Sequence, residues 1–197
     1  MQVVPLKIRI PEDLAMTDEF FYEFCRANPA LRVERSPQGE IIVISPTGGE
    51  TGSRNSKLIM LLNVWSSQSG TGVVFDSSTG FILLSGAIRS PDASWVRRGR
   101  LAKLTAEQKR GFLPLCPDFV VELRAPTDRL LDLQEKMVEY IENGAQLGWL
   151  IDPAARTVYE YRPDSTPAAL LDPATVSGDP VLSGFLLDLS QLWDAGF

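Results

Sequence analysis

Hydrophobic and polar residues alternate along several short segments of the chain, as they do in β-strands with one buried face. Alternation on both sides of a Ser-Pro-Gln-Gly turn predicts a hairpin over 31–45. Three short strands separated by Ser/Gly turns are predicted over 72–96, and a further strand over 117–124. Two more strands flank an Asp-Pro turn within 146–163.

Other segments repeat their apolar residues at helical spacing. Thr17 is a candidate N-cap for a short first helix, and a second helix ends near Gly70. A short helix is predicted to open at Thr105, and a longer one runs from about Asp128 to Asn143. The central order is helix, three strands, a fourth strand, helix and two strands, which predicts an α/β fold with a mixed β-sheet flanked by helices.

The length of 197 residues and the hydrophobic content of 44% suit a single globular domain with one core. No run of about 20 apolar residues is present, so no membrane span is expected. The N-terminal segment lacks the long apolar stretch of a signal peptide, and a cytoplasmic protein is therefore expected.

The chain contains no histidine, which excludes every mechanism that uses imidazole as a base or as a zinc ligand. Cys25 and Cys116 stand far apart and are expected to be ordinary buried thiols. The "TGGETG" loop lacks the GK[ST] ending of a P-loop, so no nucleotide cofactor is expected. Any catalysis must use carboxylates, lysine, arginine, tyrosine, hydroxyls or a metal bound by oxygen.

The formal net charge of −6 disfavours a protein that coats nucleic acid without specificity. Positive charge is nevertheless concentrated in one segment, 97–110. Arg97, Arg98 and Arg100 in this segment are candidates for contacts with DNA phosphates. The alternative interpretation is a solvated loop.

One strand that otherwise resembles a core strand carries charge. In "PDFVVELRAPTD", alternation places Asp118, Glu122 and Arg124 on one face and apolar residues on the other. Four residues of extended chain span roughly 13 Å, so Asp118 and Glu122 cannot both bind one small cation. A second metal ligand must therefore come from another strand.

Asp92 is the best candidate for that second ligand, since it opens another predicted strand directly after a proline. If the two strands are neighbours, Asp92 and Glu122 could bind one Mg²⁺, with water and phosphate oxygens completing its coordination. Lys136, on the flank of the following helix, could lean toward Glu122 and act on the attacking water and on the charge of the transition state. The alternative is that both acids are strand-end or surface charges and that Lys136 is a surface lysine.

The segments "SPDASWV", "PDFVVELRAPTD", "LQEKMVEYIENGAQLGWLIDP" and "VLSGFLLDL" resemble the Uma2 family of the PD-(D/E)XK nuclease superfamily. The resemblance implies a restriction-endonuclease-like αβββαβ core over 46–162. The residue patterns outside this core predict an N-terminal helix and hairpin extension over 1–45 and a C-terminal strand and helix over 163–197, all within a single domain over 1–197.

The resemblance further implies a divalent metal, Mg²⁺ or Mn²⁺, and places the superfamily acids on Asp92 and Glu122. Arg124 stands where the superfamily motif has lysine, and Lys136 is the residue that replaces that lysine. Glu50 matches an additional acidic residue ahead of the first core helix. Asp118 is interpreted as a structural or supporting residue, and Arg124 as a partner of Glu122, of Asp128 or of phosphate.

The expected function is that of a Mg²⁺-dependent DNA endonuclease, acting as a homodimer because cutting both strands of a duplex requires two sites. The competing class is a catalytically inactive protein of the same fold that binds nucleic acid or has a regulatory role. A structural oligomer without a nucleic-acid partner is the third alternative.

Overall fold

The computed structural model describes residues 6–11 and 16–197. Its N-terminal part contains a strand, a helix and a hairpin: β1 (Leu6–Ile8), α1 (Asp18–Ala27), β2 (Arg32–Arg35) and β3 (Ile41–Ile44). The Thr17 hydroxyl accepts a hydrogen bond of 3.1 Å from the Phe20 N–H, so the predicted N-cap is confirmed. The predicted hairpin is also confirmed, since β2 and β3 pair antiparallel.

Helix α2 (Gly49–Ser69) is the longest helix of the described residues, and Gly70 ends it in the left-handed conformation with φ 65°. A residue without a side chain adopts this conformation at little cost, which explains the end of the helix at the predicted position. The helix begins earlier than its apolar spacing indicates. Glu50 therefore lies in the first turn of α2 rather than in a loop ahead of it.

A six-stranded mixed sheet forms the centre of the molecule, in the order β11-β10-β9-β8-β7-β4. Its strands are β4 (Gly72–Asp76), β7 (Ala93–Arg97), β8 (Phe119–Leu123), β9 (Leu147–Asp152), β10 (Thr157–Tyr161) and β11 (Ala168–Leu171). Strands β8 and β9 are parallel and are joined by helix α4 (Leu130–Glu142), whereas the other neighbours are antiparallel. The succession α2-β4-β7-β8-α4-β9 is the predicted αβββαβ arrangement, and the fold class is confirmed.

Two short strands between β4 and β7 leave the central sheet. They are β5 (Phe81–Ile82) and β6 (Ile88–Arg89), and they join the N-terminal strands in a second sheet of order β1-β3-β2-β6-β5. The prediction of three strands in this region was therefore wrong in number, because the turns at 77–80 and 83–87 divide the segment further and redirect it. As a result, the N-terminal hairpin lies against the start of β7.

The basic segment contains a short helix, α3 (Arg98–Leu101), directly after β7. The predicted helix at Thr105 was wrong, since residues 106–110 form turns. Thr105 and Gln108 exchange hydrogen bonds between side chain and backbone, as in a helix start, but no helix continues from them. The C-terminal part has two paired strands, β12 (Thr175–Ser177) and β13 (Leu186–Asp188), where one was predicted, and then α5 (Ser190–Trp193).

Both faces of the central sheet are covered, and the alternation along β8 decides which residue faces which layer. Phe119, Val121 and Leu123 pack in the cluster that contains residues of α2. Val120 packs with Met137 and Tyr140 of α4. Glu122 is two residues from Val120, so it faces α4 as well.

Neither cysteine forms a disulfide. Cys116 is buried, and burial raises the pKa of its thiol to about 12, whereas Cys25 is only partly buried. Within the described residues, every helix is too short or too polar to cross a membrane.

Candidate active site

Asp92 and Glu122 lie side by side at one end of two neighbouring strands. The antiparallel register pairs Ala93 of β7 with Val121 of β8, so Asp92 and Glu122 occupy the next pair of positions. One oxygen of Asp92, Oδ2, accepts a hydrogen bond of 2.8 Å from the Leu123 N–H, the residue after Glu122. The strand pairing therefore brings together two acids that are 30 residues apart in the sequence.

Helix α4 covers this end of β8 and contributes two polar side chains to Glu122. The Lys136 ammonium lies 2.9 Å from Glu122 Oε1, and the Tyr140 hydroxyl donates a hydrogen bond of 3.0 Å to the same oxygen. Lys136 and Tyr140 are four residues apart, which places them on one face of the helix. The three residues predicted to carry the chemistry, Asp92, Glu122 and Lys136, are thus adjacent in the structure.

Burial strongly affects both acids. Glu122 is only 5% exposed, and burial together with the charges of Asp92 and Glu34 raises its pKa to about 7 despite the opposing effect of Lys136. Asp92 is partly exposed, and desolvation raises its pKa as well, while the Leu123 N–H and Lys136 act in the opposite direction. The site therefore holds two acids whose ionised forms lack sufficient compensating charge.

The oxygen atoms of these acids suit a hard divalent cation. No described residue donates a hydrogen bond to Asp92 Oδ1 or to Glu122 Oε2, and neither atom is among the fully buried polar atoms without a partner. Among the described contacts, each acid therefore keeps one oxygen that receives no hydrogen bond. Mg²⁺ in proteins is commonly bound by one or two carboxylates together with water and phosphate oxygens.

The same residues do not suit a metal that requires a complete protein cage. Within 6–11 and 16–197, no group of three or more acidic, cysteine or histidine side chains is arranged to hold an ion. The chain also has no histidine for a zinc site. Asp92 and Glu122 therefore fit Mg²⁺ or Mn²⁺ with an open coordination sphere.

Glu34 of the N-terminal hairpin is a site residue that the sequence did not reveal. It is 3% exposed, and its Oε1 accepts hydrogen bonds of 2.9 Å from both Lys136 Nζ and the Ser90 N–H. Its Oε2 accepts a hydrogen bond of 3.1 Å from Arg89 Nη1. The signal that could have found it is the one used for Glu122, namely a charge inside a short alternating strand.

Burial and neighbouring charges shift the pKa values of Glu34, Lys136 and Glu122 in different directions. Burial alone would raise the pKa of Glu34, but Lys136, Arg89 and the Ser90 N–H together lower it. Burial alone would lower the pKa of Lys136, but Glu122 and Glu34 raise it. Lys136 therefore remains a cation between two acids, of which Glu34 carries its negative charge more readily than Glu122.

The three possible supporting residues lie outside this cluster. Asp118 is buried at the other end of β8, where it accepts a hydrogen bond of 3.0 Å from the Arg97 N–H. Arg124 pairs with Asp152 at 2.5 Å and approaches the backbone of Asp128. The ion pair of Arg124 is thus with Asp152 and not with Glu122 or the Asp128 carboxylate. Of Asp128, only the backbone carbonyl is approached.

Glu50 pairs with Arg54, one turn along α2, at 3.0 Å. Its side chain is 59% exposed and lines a cavity of about 290 Å³ with residues of the C-terminal segment. Its described contacts include none of Asp92, Glu122 and Lys136.

The arginines of the basic segment are partly engaged in contacts of their own. Arg97 and Arg100 form ion pairs of 3.6 Å and 3.2 Å with Asp118, and Arg98 Nε donates a hydrogen bond of 2.7 Å to the Gly70 carbonyl. This segment follows the end of β7 that is distant from Asp92. Arg97 lies five positions after Asp92 along the strand, which corresponds to roughly 17 Å.

Comparison with known proteins identifies a family for the chain. The sequence model of Uma2, described as "Putative restriction endonuclease", matches residues 18–190. A solved structure from Anabaena variabilis ATCC 29413, described as "a putative nuclease belonging to DUF820", is similar with a TM-score of 0.70 and 20% sequence identity. The similarity covers 83% of this chain and 90% of that chain, and it demonstrates a shared fold. No curated protein matches the chain.

Proposed function

Since the chain belongs to the Uma2 family, we propose that it is a nuclease, specifically a divalent-metal-dependent endonuclease that hydrolyses phosphodiester bonds of DNA. The observation that carries the proposal is the adjacency of Lys136 to Glu122, at 2.9 Å, with Asp92 at the neighbouring position of the sheet. Two acids at the ends of neighbouring strands and a lysine on the helix that covers them are groups that suit metal-assisted phosphodiester hydrolysis.

Asp92 and Glu122 are the residues that would hold Mg²⁺ or Mn²⁺. When bound, such an ion polarises a phosphate oxygen and lowers the pKa of a water molecule. The protein itself supplies two acids that are already partly desolvated. Because their pKa values are raised first by burial and then by neighbouring acids, a divalent cation would relieve an unfavourable interaction as it binds.

Lys136 would act as a fixed positive charge. Between Glu122 and Glu34 its ammonium stays protonated, which disfavours a role as a general base. A compact ammonium can orient the attacking water and stabilise the charge that develops on the phosphate oxygens. Its fixed position requires no rearrangement during the reaction, which is the condition under which such stabilisation is most effective.

We further propose that the chain acts as one domain over 1–197 and as a homodimer. Hydrolysis of both strands of a duplex needs two sites, and each chain provides one pair of candidate metal ligands. The division into a 1–45 extension, a 46–162 core and a 163–197 C-terminal part is a prediction from the sequence. The extension and the core are not independent, because Glu34 of the extension contacts Lys136 of the core.

A catalytically inactive protein that binds nucleic acid is the second candidate. The net charge of −6 favours it, since a nuclease that holds DNA tightly usually presents positive charge. The ion pairs of Arg97 and Arg100 with Asp118 also favour it, because Asp118 offsets part of the positive charge of the basic segment. The presence of Asp92, Glu122 and Lys136 together in one site favours the enzyme.

A cleavage experiment separates the two candidates. Purified protein is incubated with supercoiled plasmid, linear duplex, single-stranded DNA and RNA, each with Mg²⁺, with Mn²⁺ and with EDTA. The proposal expects metal-dependent cleavage of DNA that Glu122→Gln abolishes. Glu135→Gln, the same chemical change on the exposed face of α4, is the matched control and retains activity. Intact substrates in every condition, together with DNA binding, would support the inactive candidate.

A further inference from the structure

We infer that Glu34 is a positioning residue that fixes Lys136 and the Asp92 strand end relative to each other. The inference deepens the proposed function and rests on it, since it assigns a task to a residue of the same site. The described hydrogen bonds of Glu34 are with Lys136, Ser90 and Arg89, and none is with Asp92 or Glu122. Its task follows from what its two oxygens hold.

The first oxygen of Glu34 connects two elements that both belong to the site. Oε1 lies 2.9 Å from Lys136 Nζ, in the middle of α4, and 2.9 Å from the Ser90 N–H. Ser90 precedes Asp92 by two residues, and the intervening Pro91 restricts the backbone between them. One atom therefore sets the separation between the lysine and the strand end that carries Asp92.

The second oxygen of Glu34 is connected to helix α4 through Arg89. Oε2 accepts a hydrogen bond of 3.1 Å from Arg89 Nη1, and Arg89 Nε donates one of 2.5 Å to Glu139 Oε2. Glu139 lies one turn beyond Lys136 on the same helix. Glu34 is thus connected to α4 at two points. Its Oε1 contacts Lys136 directly, and its Oε2 is connected to Glu139 through Arg89.

The cost of burying Glu34 indicates that the contacts are specific. A carboxylate that is 3% exposed would destabilise the fold without compensation. Two cations and one backbone N–H supply that compensation. A surface charge would need none of them, and a residue needed only for packing would not be acidic.

Glu34 also makes the place of Lys136 independent of Glu122. A metal ion bound by Glu122 would compete with the lysine for the negative charge of that acid. Glu34 has both oxygens occupied by donors and remains available to the lysine whether or not Glu122 binds a metal. The ammonium therefore keeps its location when the site is loaded.

The test compares Glu34→Gln with Glu40→Gln in the full-length protein. Glu40 is a glutamate of the same hairpin that is partly buried and pairs with Arg9 at 3.0 Å, away from the site. Glu34→Gln is expected to lower the DNA cleavage rate by about 10- to 100-fold, the effect of misplacing a catalytic group by about 1 Å. It leaves the midpoint of a Mn²⁺ titration, followed by thermal shift, unchanged. Glu40→Gln matches the wild type in both measurements.

Glu34→Asp covers the case in which Glu34→Gln does not fold. It retains the buried negative charge but is shorter by one methylene, so it cannot reach Lys136 and Ser90 together. The fold is expected to survive and the rate to fall. A wild-type rate in folded Glu34→Gln or folded Glu34→Asp would overturn the inference, as would a loss of Mn²⁺ binding equal to the loss of rate.

A second measurement does not depend on cleavage. In protein labelled with ¹⁵N-lysine, the Lys136 ammonium, identified by its absence in Lys136→Arg, is expected to give an NMR signal protected from exchange. That signal is expected to persist in Glu122→Gln and to vanish in the folded Glu34 variants. Persistence in the Glu34 variants would overturn the positioning role. Absence of cleavage by the wild type, with the ammonium signal behaving as expected, would overturn the nuclease proposal alone.

Discussion

Lys136 Nζ lies 2.9 Å from Glu122 Oε1, so the middle of helix α4 is joined to the end of strand β8 through one ion pair. The two residues are 14 positions apart in the sequence and belong to the two elements of a strand-helix unit. Both are largely removed from water, with side-chain exposures of 16% and 6%. At such low exposure, removal of either partner has consequences that removal of a surface ion pair does not have.

Glu122→Gln is expected to abolish cleavage and metal binding while the fold is retained. Glutamine keeps the shape of the side chain, and Lys136 keeps Glu34 as its partner. For the wild type, metal at about 100 times its Kd should raise the free energy of unfolding by about 2.7 kcal/mol. Thermal unfolding with and without Mn²⁺ measures this increase. An equal increase in Glu122→Gln would remove Glu122 from the metal site.

Lys136→Ala is expected to separate metal binding from catalysis. The variant keeps Asp92 and Glu122 and should still be stabilised by Mn²⁺, whereas its cleavage rate should fall by about 100- to 1,000-fold, as for the loss of one preorganised donor. Loss of the shared cation leaves Glu34 and Glu122 without their partner and should destabilise the metal-free fold by about 3–5 kcal/mol.

Lys7→Ala removes an exposed lysine outside the basic segment and is the matched control for Lys136→Ala. Rates are compared at a temperature at which circular dichroism shows both variants to be folded. Cleavage by folded Lys136→Ala at the rate of the control would contradict the role given to the lysine.

The stability of the metal-free protein should depend on pH through Glu122. Its pKa is about 7 in the folded protein and 4.5 ordinarily, so the folded state holds this proton more tightly than the unfolded state. The contribution to stability is therefore fully present below pH 4.5 and is lost as pH rises toward 7, by about 1.4 kcal/mol for each pH unit. Metal affinity should change in the opposite direction, because the ion binds the ionised acid.

Chemical denaturation between pH 4.5 and 8 measures this dependence. Glu122 faces Lys136, Asp92, Glu34 and Tyr140, which also carry or affect charge. Subtracting the values for Glu122→Gln cancels the groups that titrate alike in both proteins. A difference that does not vary with pH would show that Glu122 ionises at its ordinary pKa.

Neutralising the basic segment should weaken DNA binding if the segment contacts phosphates. Arg97→Gln, Arg98→Gln and Arg100→Gln are combined, and each lost phosphate contact should reduce the slope of log K against log salt concentration by about 0.9. Glutamine is preferable to glutamate, because Arg97 and Arg100 pair with Asp118 and a reversed charge would repel it.

Binding is measured by fluorescence anisotropy across a salt series with the Mg²⁺ concentration constant. Asp118→Asn is the companion variant, since it releases Arg97 and Arg100 from their partner without removing positive charge. An unchanged affinity and slope in the triple variant would assign the segment to a solvated loop and leave the metal site unaffected.

Several features of the fold could be predicted because they depend on neighbouring residues. Thr17 caps α1 and Gly70 ends α2 through bonds and conformations within a few residues. The alternation in β8 determines that Glu122 and Val120 share a face. The prediction of a helix at Thr105 also depended on a local signal. The hydrogen bonds of a helix start do form between Thr105 and Gln108, but the following residues form turns instead of a helix.

What the sequence by itself determined was the periodicity of each element, and with it the face on which each charge lies. The adjacency of Asp92 to Glu122 could be anticipated only on the condition that their strands were neighbours. Only the tertiary structure decided that β6 leaves the central sheet to pair with β2, which brings Glu34 to Lys136 across 102 positions. Repeats of 2 and 3.6 residues specify which side of an element is buried but not which element covers it, because that choice depends on packing between distant segments.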